Sequence, residues 1–201
     1  MRSSKTKRSG SEMKKQVQYR HGDLLSHKGR FVMHGCNAQG VMGSGVAKEI
    51  RATYPLAYTK YREKYEEENK LVMGSVVAVD CGRHVIFNAI TQEFFGKDGR
   101  RYVDYSAIST ALVSINKLIN DAKREFEGNR FAQQSRGYGW TPFEEEEPIE
   151  LAMPLIGAGL GGGDWGIISN ILSQDYEFQP VVYIRELEQY QKIVKEYQQV
   201  D

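Results

Sequence analysis

Ten of the chain's 20 glycines fall in two short windows, residues 35–45 and 157–166. The first lies in HGCNAQGVMGSGVAKEI (34–50), the second in MPLIGAGLGGGDWG (153–166). Glycine loses more backbone freedom on folding than any other residue, so such clusters are costly unless the chain turns tightly or approaches something closely. Each window follows an apolar, strand-like run and precedes a helix-like one. That arrangement converges backbone N–H groups beside a helix N-terminus, where an anion is favoured. In an open α/β sheet such loops sit at the carboxyl ends of strands, where ligands bind. Two loops facing each other suit a diphosphate. The competing explanation is that the glycines only ease tight packing of strand against helix.

The rest of the chain alternates strand and helix signals. Strands are expected in 16–25, turning at Gly22-Asp23, and in 29–37. A helix follows, with Val46, Ile50 and Tyr54 near one face and Pro55 breaking or re-angling it. Residues 73–82 and 83–92 read as two strands joined by a hairpin turn at Cys81-Gly82. Residues 94–101 form a polar loop. Ile108, Ala111, Leu112, Ile115, Leu118 and Ile119 then mark the apolar face of a long helix over 102–126. Residues 127–148 have no period and many turn formers, as a loop insertion would. A buried strand entering the second glycine cluster over 149–165, a short helix, a strand at 180–186 and a polar helix complete the order. The expected class is α/β: one domain over 15–201, with a largely central sheet covered by helices.

Charge divides the chain unevenly. Residues 1–20 carry seven basic side chains against one acid, leaving 21–201 with a net charge of −5. A basic, disordered leader over 1–14 is expected. A mildly acidic body argues against broad nucleic-acid binding except through that leader. No apolar run reaches membrane-spanning length and no apolar signal region opens the chain, so an intracellular, cytoplasmic protein is expected; a monomer is expected too. Cys36 and Cys81 make no disulfide framework, and His21, His27, His34 and His84 show no ligand spacing; neither a metal nor a cofactor is expected.

Two phosphate-binding signatures can be weighed directly. A P-loop requires Gly-Lys followed by Ser or Thr, which does not occur here. GAGLGG (157–162) does match the dinucleotide fingerprint, with Glu186 at a suitable distance for a ribose. Yet too few strands remain after it to build the usual dinucleotide fold.

HGDLL (21–25), the first glycine window and MPLIGAGLGGGDW (153–165), in that order, resemble the macro domain over most of 16–186, which implies an α/β fold with a central mixed sheet covered by helices on both faces. Within that family the resemblance is greatest to small stand-alone members acting on ADP-ribose derivatives, and His34 with Cys36-Asn37 leans toward ADP-ribose 1''-phosphate phosphatases. The resemblance implies that Asp23 accepts the exocyclic amine of adenine, as an acceptor-only carboxylate can, and that Leu24 N–H serves a ring nitrogen. A turn-capping Asp23 is equally open. Asn37 would hydrogen-bond the distal ribose, or simply brace its loop. Gly43, Ser44, Gly45 and Val46 would wrap one phosphate, and Gly157, Ala158, Gly159, Leu160 and Gly161 the other.

Catalysis would fall to His34, Asn37 and Asp164. His34 titrates near neutrality when unperturbed, but it ends a buried strand, where a structural histidine is common. Asp164 has two readings, activating water or capping the next helix. The related glutamate deacylases place a lysine nucleophile in a loop comparable to that of Lys97 and an aspartate in the second glycine loop. Here Gly161 occupies the aspartate's place. The resemblance therefore implies hydrolysis of ADP-ribose 1''-phosphate. Removal of ADP-ribose from protein and non-catalytic binding of ADP-ribose are the alternatives, with ADP-ribosylated protein as a partner in either. Phe94, Phe95 and Tyr102 are candidate pocket walls.

Overall fold

The computed structural model describes residues 16–96, 98–129 and 149–198. β1 (Gln18–His21) runs into a single 3-10 turn at Leu24–Ser26, then β2 (Phe31–Asn37). α1 (Gly45–Thr53) and α2 (Pro55–Glu68) lead to β3 (Val76–Asp80) and β4 (Val85–Gln92). α3 (Tyr105–Asn129), β5 (Glu150–Met153), α4 (Trp165–Leu172), β6 (Gln179–Ile184) and α5 (Leu187–Tyr197) follow. The six strands lie in the order β1-β6-β5-β2-β4-β3, all parallel except β3, which pairs antiparallel with β4.

Strand alternation sends successive side chains to opposite faces. Phe31 and Met33 of β2 and Phe87 of β4 pack with Ile108, Leu112 and Ile115 of α3, Ile168 and Leu172 of α4, and Ile193 of α5. Val32 and Ile86 instead meet Ile50 of α1 and Ala57 of α2. Helices thus cover both faces of a mixed sheet, as the resemblance implies.

Pro55 breaks the helix as expected: Tyr54 closes α1, and Pro55 takes the first position of α2, where its missing N–H costs nothing. Two expectations need adjustment. Leu118 is 43% exposed while its neighbours in the pattern are buried, because 3.6-residue periodicity leaves it at the margin of the apolar stripe. α3 continues through Asn129, so residues 127–129 belong to a helix rather than to the insertion. The remainder of the insertion and the basic leader lie outside the described residues.

Candidate functional site

A cleft of about 640 Å³ opens at the carboxyl ends of β2, β4 and β5, within the range of small-molecule sites. Residues 43–47 form one wall, residues 154–157 and 159–161 another, and Gln92, Phe95 and Gly96 the far end.

The first wall is the N-terminus of α1. Ser44 is its N-cap in extended conformation, yet its side chain makes no capping hydrogen bond. The first-turn amides of a helix have no intrahelical partner, so those of Gly45 to Ala47 lie open beside the cleft. α4 differs: Oδ1 of Asp164 accepts from Ile167 N at 3.2 Å and closes that helix off.

The opposing loop is held by its own backbone. Gly163 N donates to Gly157 O at 2.8 Å, and Gly161 O accepts from Tyr102 N at 2.8 Å and Val103 N at 3.0 Å. A Cβ at Gly161 would lie 2.6 Å from Gly157 O, so only glycine fits this fold of the loop. Among the described residues the amides of Gly159, Leu160 and Gly161 donate to no backbone carbonyl. The two walls face each other closely: a Cβ on Gly45 would lie 3.6 Å from Leu160 Cδ1. The cleft therefore presents two sets of bare amides to one space.

Asn37 shapes the floor of the first loop. Its Oδ1 accepts from Gln39 N at 3.0 Å and Val41 N at 3.2 Å, and its Nδ2 donates to Val41 O at 2.6 Å. The buried Tyr61 hydroxyl donates to Asn37 O at 2.6 Å. The bracing role is thus filled, on the border of the cleft.

His34 borders the cleft but is 1% exposed. Asn88 Nδ2 donates to Ala57 O at 3.1 Å, leaving Asn88 Oδ1 to accept from His34 Nε2 at 2.7 Å. Burial lowers the His34 pKa to about 4, against the weaker opposing effect of Asn88, so the ring is neutral at pH 7. Cys36 Sγ lies 3.8 Å from His34 Nδ1, and burial pushes its thiol far above the usual range. His34 lies midway along β2, not at its end as expected, and its neutral, buried, hydrogen-bonded ring is placed to tie β2 to β4 rather than to exchange protons with solvent.

The remaining site candidates are divided. Gly43, Ser44, Gly45 and Val46 border the cleft, as do Gly157, Gly159, Leu160 and Gly161. Ala158, Asp164, Asp23 and Leu24 do not. Ala158 N donates within its turn to Leu155 O, and Asp164 faces α4. Asp23 caps the 3-10 turn through Leu25 N and pairs with Arg185 at 3.2 Å; Leu24 is buried. Of the three aromatics, Phe95 borders the cleft, whereas the Tyr102 hydroxyl donates to Asp98. Lys97 lies outside the described residues. Thr91, Gln92 and Gly96 were not foreseen, since nothing local marks a strand end as facing a cleft. No Lys, Arg, Asp or Glu lies among the described residues that line it. Among the described residues no cluster of His, Cys, Asp and Glu is suited to a metal, and no helix is long and apolar enough to cross a membrane.

A mixed α/β sheet with an amide-lined cleft at its carboxyl edge defines the class. The Macro domain family model matches residues 33–172, and the chain belongs to that family. It is 30% identical over 162 residues to a 17.5 kDa protein from the tk-vs intergenic region of Enterobacteria phage T4, covering 78% of this chain and 87% of that one. It is 23% identical to an ADP-ribose 1''-phosphate phosphatase of Saccharomyces cerevisiae, covering 79% of this chain and 92% of the relative. It is 24% identical to a DNA ADP-ribosyl glycohydrolase of Mycobacterium tuberculosis, covering 83% of this chain but only 40% of that longer protein. The macrodomain of Mycobacterium tuberculosis DarG superposes with a TM-score of 0.61 at 22% identity, over 86% of this chain and 99% of that one.

Proposed function

We propose that the chain binds ADP-ribose in this cleft and hydrolyses ADP-ribose 1''-phosphate to ADP-ribose and inorganic phosphate. The observation that carries the reading is the uncapped N-terminus of α1 facing the open amides of 159–161. Such amides donate to anionic oxygens without the reorganisation that flexible side chains require. They hold the diphosphate, and Asn37 sets the shape of the wall against which the distal ribose rests. Water attacks phosphorus, the bond from phosphorus to the C1'' oxygen breaks, and that oxygen takes a proton. His34, neutral and buried, acts as a positioning residue, tying β2 to Asn88 of β4 and lying against Cys36 beside the cleft. Asp164 acts by capping α4, at the base of the second loop. The relatives named as ADP-ribose 1''-phosphate phosphatases support the choice of substrate.

One observation favours a second reading. The dianionic 1''-phosphate that water would attack finds no cationic side chain among the described lining residues. ADP-ribose attached to a macromolecule brings no such charge, and a DNA ADP-ribosyl glycohydrolase is among the relatives. The same cleft would then release ADP-ribose from its carrier.

The test is product analysis on purified protein with three substrates: ADP-ribose 1''-phosphate, ADP-ribosylated protein and ADP-ribosylated DNA. Phosphate release from the first alone supports the phosphatase. ADP-ribose release from a macromolecule without phosphate release replaces it by the second reading. Binding of ADP-ribose without turnover of any substrate removes the hydrolase and leaves a reader.

A further inference from the structure

The floor of the cleft holds a buried hydroxyl that the proposed function leaves unused. β2 and β4 keep a regular parallel register as far as Cys36 with Ile90, and the next pair is Asn37 with Gln92. Thr91 is the extra residue on β4, opposite no residue of β2. A slip of this kind re-aims the side chain it carries. The backbone there is fixed from the other side: Thr91 O accepts from Asp104 N at 2.8 Å, and Gln92 bridges to Val103.

Thr91 is 1% exposed and borders the cleft. A Cβ at Gly35 would lie 2.7 Å from Thr91 Oγ1 and 3.4 Å from Ile156 Cγ1. Gly35 has no positive φ, so what this glycine supplies is room for the hydroxyl. Gly35 and Ile156 border the cleft as well. Among the described residues Thr91 Oγ1 makes no hydrogen bond. Its neighbours on the floor do: His34 Nε2 meets Asn88 Oδ1, Asn37 Oδ1 accepts from two amides, and Gln92 Nε2 donates to Phe94 O at 2.9 Å. Buried hydroxyls are paired as a rule, because leaving one unpaired costs stability. The fold bears that cost at a slipped register and keeps a glycine opposite to make space for it. Both features point to a partner that enters by the cleft.

β4 lies on the far side of β2 from β5 and β6. A diphosphate between the two glycine walls, with the distal ribose against Asn37, directs the C1'' phosphate toward the end of β4, where Thr91 stands. We infer that Thr91 is a catalytic residue: its Oγ1 accepts a hydrogen bond from the attacking water and donates one to a phosphoryl oxygen. A hydroxyl can do both at once. This inference rests on the phosphatase reading of the cleft. The water oxygen bonds to phosphorus as the bond from phosphorus to the C1'' oxygen breaks, the electron pair staying with that oxygen. One water proton ends on the ribose oxygen and the other stays on the released phosphate. Thr91 keeps its own proton throughout; it orients the water and does not act as a base.

The experiment measures phosphate release from ADP-ribose 1''-phosphate by the full chain, with calorimetric titration of ADP-ribose and thermal unfolding alongside. Wild type is compared with Thr91→Val, which matches the shape without the hydroxyl, and Thr91→Ser, which keeps the hydroxyl. Thr91→Val should lose about a hundredfold in kcat, as misorientation of a reactant costs, with ADP-ribose affinity close to wild type. Its unfolding temperature should be unchanged or higher, since an apolar group of the same shape replaces an unpaired polar one. Thr91→Ser should recover most of the lost kcat. Wild-type kcat in Thr91→Val overturns the inference. So does a fall in ADP-ribose affinity as large as the fall in kcat, which marks a contact made equally in the ground state, or a lowered unfolding temperature, which marks a structural hydroxyl. In each of these cases phosphate release by wild type leaves the phosphatase reading standing. No phosphate release by wild type refutes that reading, and this inference with it.

Discussion

Gly159 offers a way to place a charge in the cleft without disturbing the fold. A Cβ there would meet nothing within 4 Å, and its φ is not positive, so side chains are tolerated. Glu at this position puts a carboxylate beside the amides of 159–161, roughly 6 Å from a diphosphate seated on them. At an effective dielectric of about 20–40, one pair of unit charges at that separation repels by about 1–3 kcal/mol. The Gly159→Glu variant should therefore bind ADP-ribose about ten- to a hundredfold more weakly. The assay is calorimetric titration at low ionic strength and again at about 1 M salt, where the screening length falls to about 3 Å and most of the penalty should vanish. Gly159→Gln matches the bulk without the charge and should bind closer to wild type at both salt levels. Wild-type affinity in Gly159→Glu at low salt, with an unchanged unfolding temperature, would refute the placement of a diphosphate on this loop. Equal weakening by Gln and Glu would refute the electrostatic argument.

Other outcomes follow from the same geometry. Gly161→Ala forces a Cβ to within 2.6 Å of Gly157 O; overpacking of this kind costs about 1–3 kcal/mol, so the unfolding temperature should drop, whereas Gly159→Ala should leave it unchanged. Asn37→Ala strips the partners from Gln39 N, Val41 N and Val41 O; unmet polar groups cost about 1–3 kcal/mol each when buried, and urea unfolding should show a loss of that order together with weaker ADP-ribose binding. Burial lowers the pKa values of both His27 and His34 to about 4, below the ordinary value of about 6.5. Their contribution to stability is therefore fully present above pH 6.5 and lost as pH falls toward 4, at up to about 1.4 kcal/mol per pH unit for each; urea unfolding between pH 7.5 and 4.5 should show that decline, and a flat profile would contradict it. For the same reason the hydrolytic rate should show no limb from His34 between about pH 5.5 and 8.

The two loops were legible because clustered glycine demands a cause, and the structure supplies one at Gly161, where any Cβ meets backbone. The core face of α3 was legible from its period, failing only at marginal Leu118. What escaped the sequence is long-range pairing. His34 looks like a titratable group poised near neutrality until β2 and β4 bring Asn88 to it across 54 positions. Glu49 and Arg185 carry no local signal, and only the meeting of α1 with the end of β6 joins them, 136 positions apart. Ser44 and Asp164 are both good cap residues by type. Yet the Asp164 side chain caps its helix and the Ser44 side chain does not. The cleft depends on that difference, because a capped α1 would offer a ligand fewer free amides.

The most direct test of the account is titration of the wild-type chain with ADP-ribose, with Gly159→Glu in parallel. Saturable one-to-one binding by wild type, sharply weakened in the variant at low salt, is the expected result. The absence of saturable binding by a folded wild-type protein would contradict the central claim that the two glycine loops enclose a diphosphate.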